Sequence, residues 1–179
     1  MMKHAALAIL ALAALPFPAE AEVKTVKHRI TGLFDKDREN DLREAVKKLT
    51  DVAVVSIEFD VAEVTFSYDP AVLFKGTKEK DYLERFDNLL KQASSHTFGV
   101  RPLCTTPKEK LTRIEIGIAS LDCRACGLSI YESVAKIDGV EQATASVKDG
   151  QLTALIDPDK TNRAALLEAL KKRQVTIKP

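Results

Sequence analysis

Two cysteines separated by two residues, Cys123 and Cys126, are the side chains of this 179-residue chain whose type and spacing most directly predict chemistry. They follow an alternating apolar stretch at 114–118 and precede a helical apolar pattern, so they lie at a strand-to-helix turn. Soft d10 cations such as Cu(I) and Hg(II) prefer thiolate ligands, and two suffice for an arrangement open to a third ligand. Dithiol redox sites and halves of zinc sites share the spacing, so it does not decide between these chemistries.

The two sulfurs occupy different predicted environments. Cys126 falls in the first helical turn, where free amides and the helix dipole favour a thiolate, and Cys123 falls in the exposed loop before it. Cys126 also begins an apolar stripe that continues through Ile130, Val134 and Ile137, which predicts a sulfur at the edge of the core. A pair of this kind holds an ion yet releases it by ligand exchange, which suits a carrier.

The chain contains an internal repeat at a constant offset of 88 residues, as between Val46 and Val134. Segment 29–70 aligns with 117–158 without a gap, and Asp69-Pro70 falls on Asp157-Pro158. By the same offset Cys123 corresponds to Asp35, and Cys126 corresponds to Arg38. The first copy therefore has the scaffold without the thiols, and we expect Asp35 and Arg38 to form a solvated cap or an ion pair at a helix start.

The patterns in each copy predict the element order βαββαβ. This order is typical of an α+β fold, and two copies predict tandem ferredoxin-like sandwiches, each a four-stranded antiparallel sheet with two helices on one face. In the second copy the patterns predict strands at 114–118, 143–147, 152–156 and 175–177, and helices at 124–137 and 162–172. In the first copy they predict a second helix through Tyr82 and Ala93, preceded by an insertion at 74–77, and a last strand at 98–103. The predicted domains are 22–103, without the cysteine pair, and 112–179, with it, joined by a linker at 104–111.

The first 21 residues are typical of a secretory signal peptide: a basic start, a short apolar run and Ala19-Glu20-Ala21. They predict an exported protein, in a bacterium a periplasmic one, that does not span the membrane after cleavage. The formal charge of the whole chain is +1, which gives no electrostatic support for a nucleic-acid partner. No Ser/His/Asp set, carboxylate pair or phosphate loop stands out, so we expect that the protein is not an enzyme.

Three segments resemble the heavy-metal-associated domain, the family of copper chaperones, copper-pumping ATPase domains and the periplasmic mercury-binding protein. They are 120–126 (Ser-Leu-Asp-Cys-Arg-Ala-Cys), 137–140 (Ile-Asp-Gly-Val) and 156–158 (Ile-Asp-Pro). The resemblance covers 111–177 and, in degenerate form, 23–103. It implies a ferredoxin-like fold with one soft metal ion on Cys123 and Cys126: Cu(I) first, with Hg(II) or Zn(II) as alternatives.

The chain departs from the family pattern in two places. Leu121-Asp122 stands where the family has Met-Thr, and a carboxylate beside the thiols shifts the metal affinity or favours a harder ion. The segment 171–174 lacks the usual glycine and aromatic residue, and its cations either balance a bis-thiolate complex or form a solvated helix end.

A third cysteine and two histidines are further candidates for ligand or structural roles. Cys104 is a third ligand, a free thiol or a cysteine paired with another molecule, and His28 and His96 are expected in structural or solvent-facing roles. The expected function is binding, with delivery or sequestration, of one soft ion, and the partners are a membrane metal transporter or another exported metalloprotein. The alternatives are a non-metal interaction module of an exported complex and a thiol-disulfide redox protein that uses the same cysteines.

Overall fold

The structure, a computed structural model, describes residues 22–119 and 121–178. The predicted signal peptide at 1–21 lies outside the described residues. Within them, every helix is too short or too polar to cross a bilayer.

The first half of the described chain forms a four-stranded antiparallel sheet with helices packed on it. Its elements are β1 (Lys24–Thr31), α1 (Arg38–Val46), β2 (Ala53–Glu58), β3 (Glu63–Tyr68), α2 (Pro70–Leu73), α3 (Tyr82–Ala93) and β4 (Gly99–Arg101). The strand order is β2-β3-β1-β4. Helix α3 turns Phe86 and Leu90 into the core, as their helical spacing predicts. The predicted last strand at 98–103 is only three residues long, and Pro102, which has no N–H to donate, follows it.

The second half forms a separate antiparallel sheet. Its elements are β5 (Thr112–Gly117), α4 (Arg124–Val134), β6 (Val140–Ser146), β7 (Gln151–Ile156) and α5 (Arg163–Lys172), and the strand order is β5-β7-β6. The antiparallel sheets and the helix starts agree with the sequence patterns.

Two details of the second half differ from the prediction. The fourth strand expected at 175–177 is reduced to one bridge between Ile118 and Ile177, so this sheet has three strands. Only two backbone bonds flank the bridge, from Ala119 to Thr176 and from Lys178 to Gly117. Helix α4 also ends at Val134 rather than at 137, because the chain tightens into turns before Gly139, which has a φ of +82°.

The buried side chains fall into two clusters, and Phe34 joins the cluster of the second half although it follows β1. Its ring lies 5.7 Å from the ring of Tyr131, and the N–H of Ala145 on β6 donates to its carbonyl oxygen at 2.8 Å. The Gln142 amide donates to the carbonyl oxygens of Leu33 and Phe59, at 3.0 and 3.1 Å. The loop after β1 therefore covers the free edge of β6, an edge that would otherwise invite pairing with another chain.

Two further contacts join the halves. Arg29 on β1 forms an ion pair with Glu141 on β6, and both side chains are about 10% exposed. The N–H of Gly32 donates to the Tyr131 hydroxyl at 2.8 Å. Gly32 has a φ of +93°, and a Cβ there would collide with the carbonyl oxygen of Thr97. The close approach of Gly32 to Thr97 therefore requires glycine.

His28 takes the structural role expected of it. It is 8% exposed, its Nε2 is hydrogen-bonded to the Tyr68 hydroxyl at 2.9 Å, and its ring stacks on Phe86. Burial lowers the pKa of His28 to about 4, because the charged ring loses its hydration.

We expect this histidine to make the fold sensitive to acid. In the unfolded chain the pKa of histidine is about 6.5, so as the pH falls below that value the unfolded state takes up the proton first and stability declines towards pH 4. In urea denaturation at pH 7.5 and 4.5, His28→Gln should therefore lose about 2 kcal/mol less stability than the wild type. Replacement of the exposed His96 by glutamine is the control. Equal losses in the wild type and His28→Gln would contradict the assignment.

Candidate metal centre

The two cysteines lie at the end of the loop that connects β5 to α4 and in the first turn of that helix. Ile118 and Ala119 anchor the start of the loop, through N–H groups that donate to Gly150 and Thr176. Cys123 is the N-cap of α4, with extended φ and ψ, and its Sγ accepts from the N–H of Cys126 at 3.1 Å. The sulfur of Cys123 thus occupies the position in which a side-chain acceptor satisfies a free helix N–H.

Burial distinguishes the two cysteines as their spacing predicts. Cys123 is exposed, whereas Cys126 is half-buried and packs against the second core cluster. Ile130 and Val134 continue the buried face of α4 below Cys126, and Leu121 is buried before the pair. One sulfur is therefore held at the edge of the core and the other faces solvent.

The cysteines are joined by a disulfide, with their Cα atoms 5.1 Å apart. Oδ1 of Asp122 lies 3.3 Å from Sγ of Cys126. One ligand atom from each of Asp122, Cys123 and Cys126 lies within 4.8 Å of the other two, which gives the site two sulfurs and one carboxylate oxygen. This donor set suits a soft ion on the sulfurs and supplies an oxygen that zinc accepts as well.

The site geometry fits a metal once the disulfide is reduced. Reduction takes up two electrons and two protons and leaves two thiols. With bonds of about 2.3 Å, two sulfur ligands of one ion stand roughly 3.8 to 4.6 Å apart for tetrahedral to linear geometry. The Cα atoms, 5.1 Å apart, are close enough for both sulfurs to bind one ion.

A charged cluster from both halves borders the pair. Arg124, between the two cysteines, pairs with Asp41 on α1, and Arg38 pairs with the same carboxylate at 2.7 Å. The guanidinium of Arg38 also lies over the ring of Phe98, 4.4 Å from its centroid. Sequence patterns missed this cluster because 83 residues separate Arg124 from Asp41.

The positions that correspond to the cysteines in the first half behave only in part as expected. Asp35 caps the turn that leads into α1, since its Oδ1 accepts from the N–H of Asp37 at 3.1 Å, whereas Asp37, the N-cap residue of the helix itself, makes no side-chain cap bond. The ion pair expected between Asp35 and Arg38 is absent among the described contacts, because Arg38 turns to Asp41 and packs over aromatic rings.

The other candidates lie apart from the donor cluster in the described part of the chain. Cys104 is a free, half-buried thiol that donates to the Thr106 carbonyl oxygen at 3.4 Å. His28 is buried in the first core, and His96 is exposed. At the end of α5, Lys172 pairs with Glu168 on its own helix, as a solvated helix end does.

A sequence comparison finds a relative that matches about a third of this chain. No protein-family model matches the chain. A Haemophilus influenzae protein, described only as uncharacterized, is 31% identical over 64 residues, which cover 36% of this chain and 68% of that protein. The chain belongs to the same family as that protein. This family membership does not indicate an activity for the chain, because none is given for the relative.

Several solved structures are similar to parts of the chain. Oxidized MerP from Ralstonia metallidurans CH34 is 18% identical, with a TM-score of 0.36, over 38% of this chain and 94% of that one. The CopZ metallochaperone is 18% identical, with a TM-score of 0.36, over 37% and 100%. The water-soluble region of the P-type ATPase CopA from Bacillus subtilis is 19% identical, with a TM-score of 0.36, over 89% and 92%.

Proposed function

We propose that this chain is an exported, non-enzymatic heavy-metal-associated protein that binds one soft metal ion through Cys123 and Cys126 and delivers or sequesters it. The observation that carries the proposal is the donor cluster of Asp122, Cys123 and Cys126 at an exposed loop. A solvent-facing Cys123 beside a half-buried Cys126 supports exchange, because an incoming ligand reaches the ion from the exposed side.

The two halves of the chain have different proposed roles. We assign 22–103 as a ferredoxin-like domain without metal ligands, 104–111 as a linker and 112–179 as the metal-binding domain. Separate sheets and core clusters support this division. Segment 1–21 is assigned as the signal peptide from its sequence pattern, and the proposed location is the bacterial periplasm. Its proposed partners are a membrane metal transporter or another exported metalloprotein.

Cu(I) is the proposed cargo, with Hg(II) and Zn(II) as alternatives. Two thiolates satisfy Cu(I) or Hg(II) in low coordination, whereas zinc takes four ligands and accepts carboxylate oxygen. Asp122 supplies one such oxygen, so the site offers Zn(II) three ligands of the four that it needs. The sulfur pair alone is sufficient for Cu(I).

A second candidate function is thiol-disulfide exchange. The disulfide between Cys123 and Cys126 favours it, and the N-cap position of Cys123 places both sulfurs near helix amides that stabilise a thiolate. In this function the oxidised pair accepts two electrons from a substrate dithiol, which becomes a disulfide.

Reduction should control metal uptake by the wild-type protein. We expect the fully reduced protein to bind one equivalent of Cu(I) and the disulfide form to bind none, because a metal ligand must be a free thiolate. The measurement is titration of Cu(I) against a chromophoric Cu(I) chelator under anaerobic conditions, with the thiols counted before and after.

The same preparation distinguishes the two candidate functions. Uptake of one ion by the reduced form, with no turnover of a model disulfide substrate, supports the metal function. Equal Cu(I) uptake by the oxidised form, or none by the reduced form, would contradict it. Turnover without uptake would favour the redox function.

A further inference from the structure

A cleft with a volume of about 750 Å³ runs between the two halves beside α4. One wall is the face of α4 and the turn after it, from Arg124 to Lys136. The other wall combines the loop after β1, the C-terminal part of α3 and β4. The volume falls within the range of small-molecule sites, which favour junctions between structural units.

Basic side chains outnumber acidic ones in the lining of the cleft, although the whole chain carries a formal charge of only +1. The acidic side chains that line it are Asp87 and Glu132. Asp87 is already engaged, since its carboxylate pairs with Lys91 and accepts from the N–H of Val100 at 2.7 Å. The basic side chains that line it are Arg38, Lys91, Arg101, Arg124 and Lys136. The cleft therefore attracts anions.

The positive charge concentrates at the two ends of the cleft. At one end Arg38 and Arg124 share a single carboxylate, that of Asp41, so one positive charge is unbalanced. At the other end Arg101 donates to the carbonyl oxygen of Ala135 at 3.0 Å. Within the described residues, neither Arg101 nor the exposed Lys136 forms an ion pair with a carboxylate. The ten residue steps of α4 from Arg124 to Val134 span about 15 Å.

Between its charged ends the cleft is lined mainly by apolar side chains, together with the carboxylate of Glu132 one turn of α4 beyond Leu128. Leu128 on α4, 40% exposed, stands between the two charged ends, and Phe98 and Tyr131 line the same cleft. An apolar centre with a cationic group at each end matches a ligand of the opposite pattern.

We propose that this cleft binds a small organic dianion, with an acidic group at each end and a hydrocarbon middle, as in a long-chain dicarboxylate. The carboxylates bind the Arg38 and Arg124 end and the Arg101 and Lys136 end, and the hydrocarbon covers Leu128. This site uses neither cysteine, so it is independent of the proposed metal function.

Calorimetric titration of the metal-free, oxidised full-length protein with decanedioate tests the proposal. We expect one molecule to bind with a Kd below about 1 mM, a value that corresponds to roughly 4 kcal/mol. Butanedioate, which is too short to reach both ends, and octanoate, which has one charge, should each bind roughly three- to fivefold more weakly, which is the upper part of the range for one exposed ion pair. High salt should weaken decanedioate binding.

Two variants locate the site. Lys136→Gln should weaken decanedioate binding roughly threefold. The matched control, Lys171→Gln on α5, removes the same charge from an exposed position outside the cleft and should change nothing. In wild-type NMR spectra, the amide signals of Leu128 and Tyr131 should shift on titration.

Three results would overturn the proposal: no decanedioate binding at about ten times the expected Kd, equal affinities for octanoate and decanedioate, or equal effects of the two lysine variants. The NMR signals provide a readout in the wild type, so the test does not depend on any variant.

Discussion

Serine in place of both Cys123 and Cys126 should abolish stoichiometric Cu(I) binding by the reduced protein. Serine keeps the size of the side chain but replaces a soft, easily ionised thiol with a hard hydroxyl that stays protonated, so both sulfur ligands of the site are lost. We expect the affinity to fall by more than about 100-fold, as the loss of a principal ligand exceeds the 10- to 100-fold cost of losing an outer-shell partner. Competition with a chromophoric Cu(I) chelator measures the change.

Cys104→Ser is the matched control, because it removes a thiol that lies outside the donor cluster. This variant should bind one equivalent with unchanged affinity. Full Cu(I) binding by the double variant would exclude the cysteine pair as the site. A loss in Cys104→Ser equal to that in the double variant would make Cys104 a ligand instead.

Phe34→Ala should destabilise the protein by about 3 kcal/mol or more, the cost of removing a buried phenylalanine ring. The ring is 4% exposed and packs between the halves, against Tyr131. It also lies close to α4 at Gly127, where an added Cβ would stand 3.7 Å from the ring. Alanine leaves a cavity in the second core at the place where the first half covers it. The free energy of unfolding from urea denaturation, followed by circular dichroism, measures the effect.

Val55→Ala provides the surface control, since Val55 is 56% exposed on β2 and its truncation should cost less than about 0.5 kcal/mol. A loss below about 1 kcal/mol for Phe34→Ala would show that this ring does not pack against the second core in solution. That result would also remove one wall of the cleft, because Phe34 lines it.

The local elements were largely predictable because burial leaves a periodic trace in the sequence. Alternation at Ile114 and Ile116 predicts β5, and the helical spacing of Ile130 and Val134 predicts the buried face of α4. The start of α4 at Arg124 also follows from the pattern. The prediction of a closing strand in the second sheet was wrong. Alternation of apolar residues over only three positions does not reveal how many backbone hydrogen bonds an edge segment forms.

The candidate site was predictable in its ligands but not in its surroundings. Cys123 and Cys126 are only three positions apart in the sequence, so a local pattern is enough to predict that they meet. Asp41 is remote from them in sequence, and only the tertiary fold brings it to Arg124 at the start of α4. The ion pair between Asp35 and Arg38, one of the two arrangements expected there, does not form among the described residues, because Arg38 pairs with Asp41 one turn along the same helix.

Local patterns were enough to predict the paired thiols, the strand-to-helix turn that presents them and the repeat in which Asp35 and Arg38 replace them. The way in which the first half contacts the second is visible in the folded chain alone. The loop after β1, at Leu33 and Phe34, covers the edge of β6 and completes the second core, and together the halves enclose a positive cleft beside α4. The physical reason is that periodicity records which face of an element is buried, whereas the identity of the covering surface depends on contacts between residues far apart in the chain.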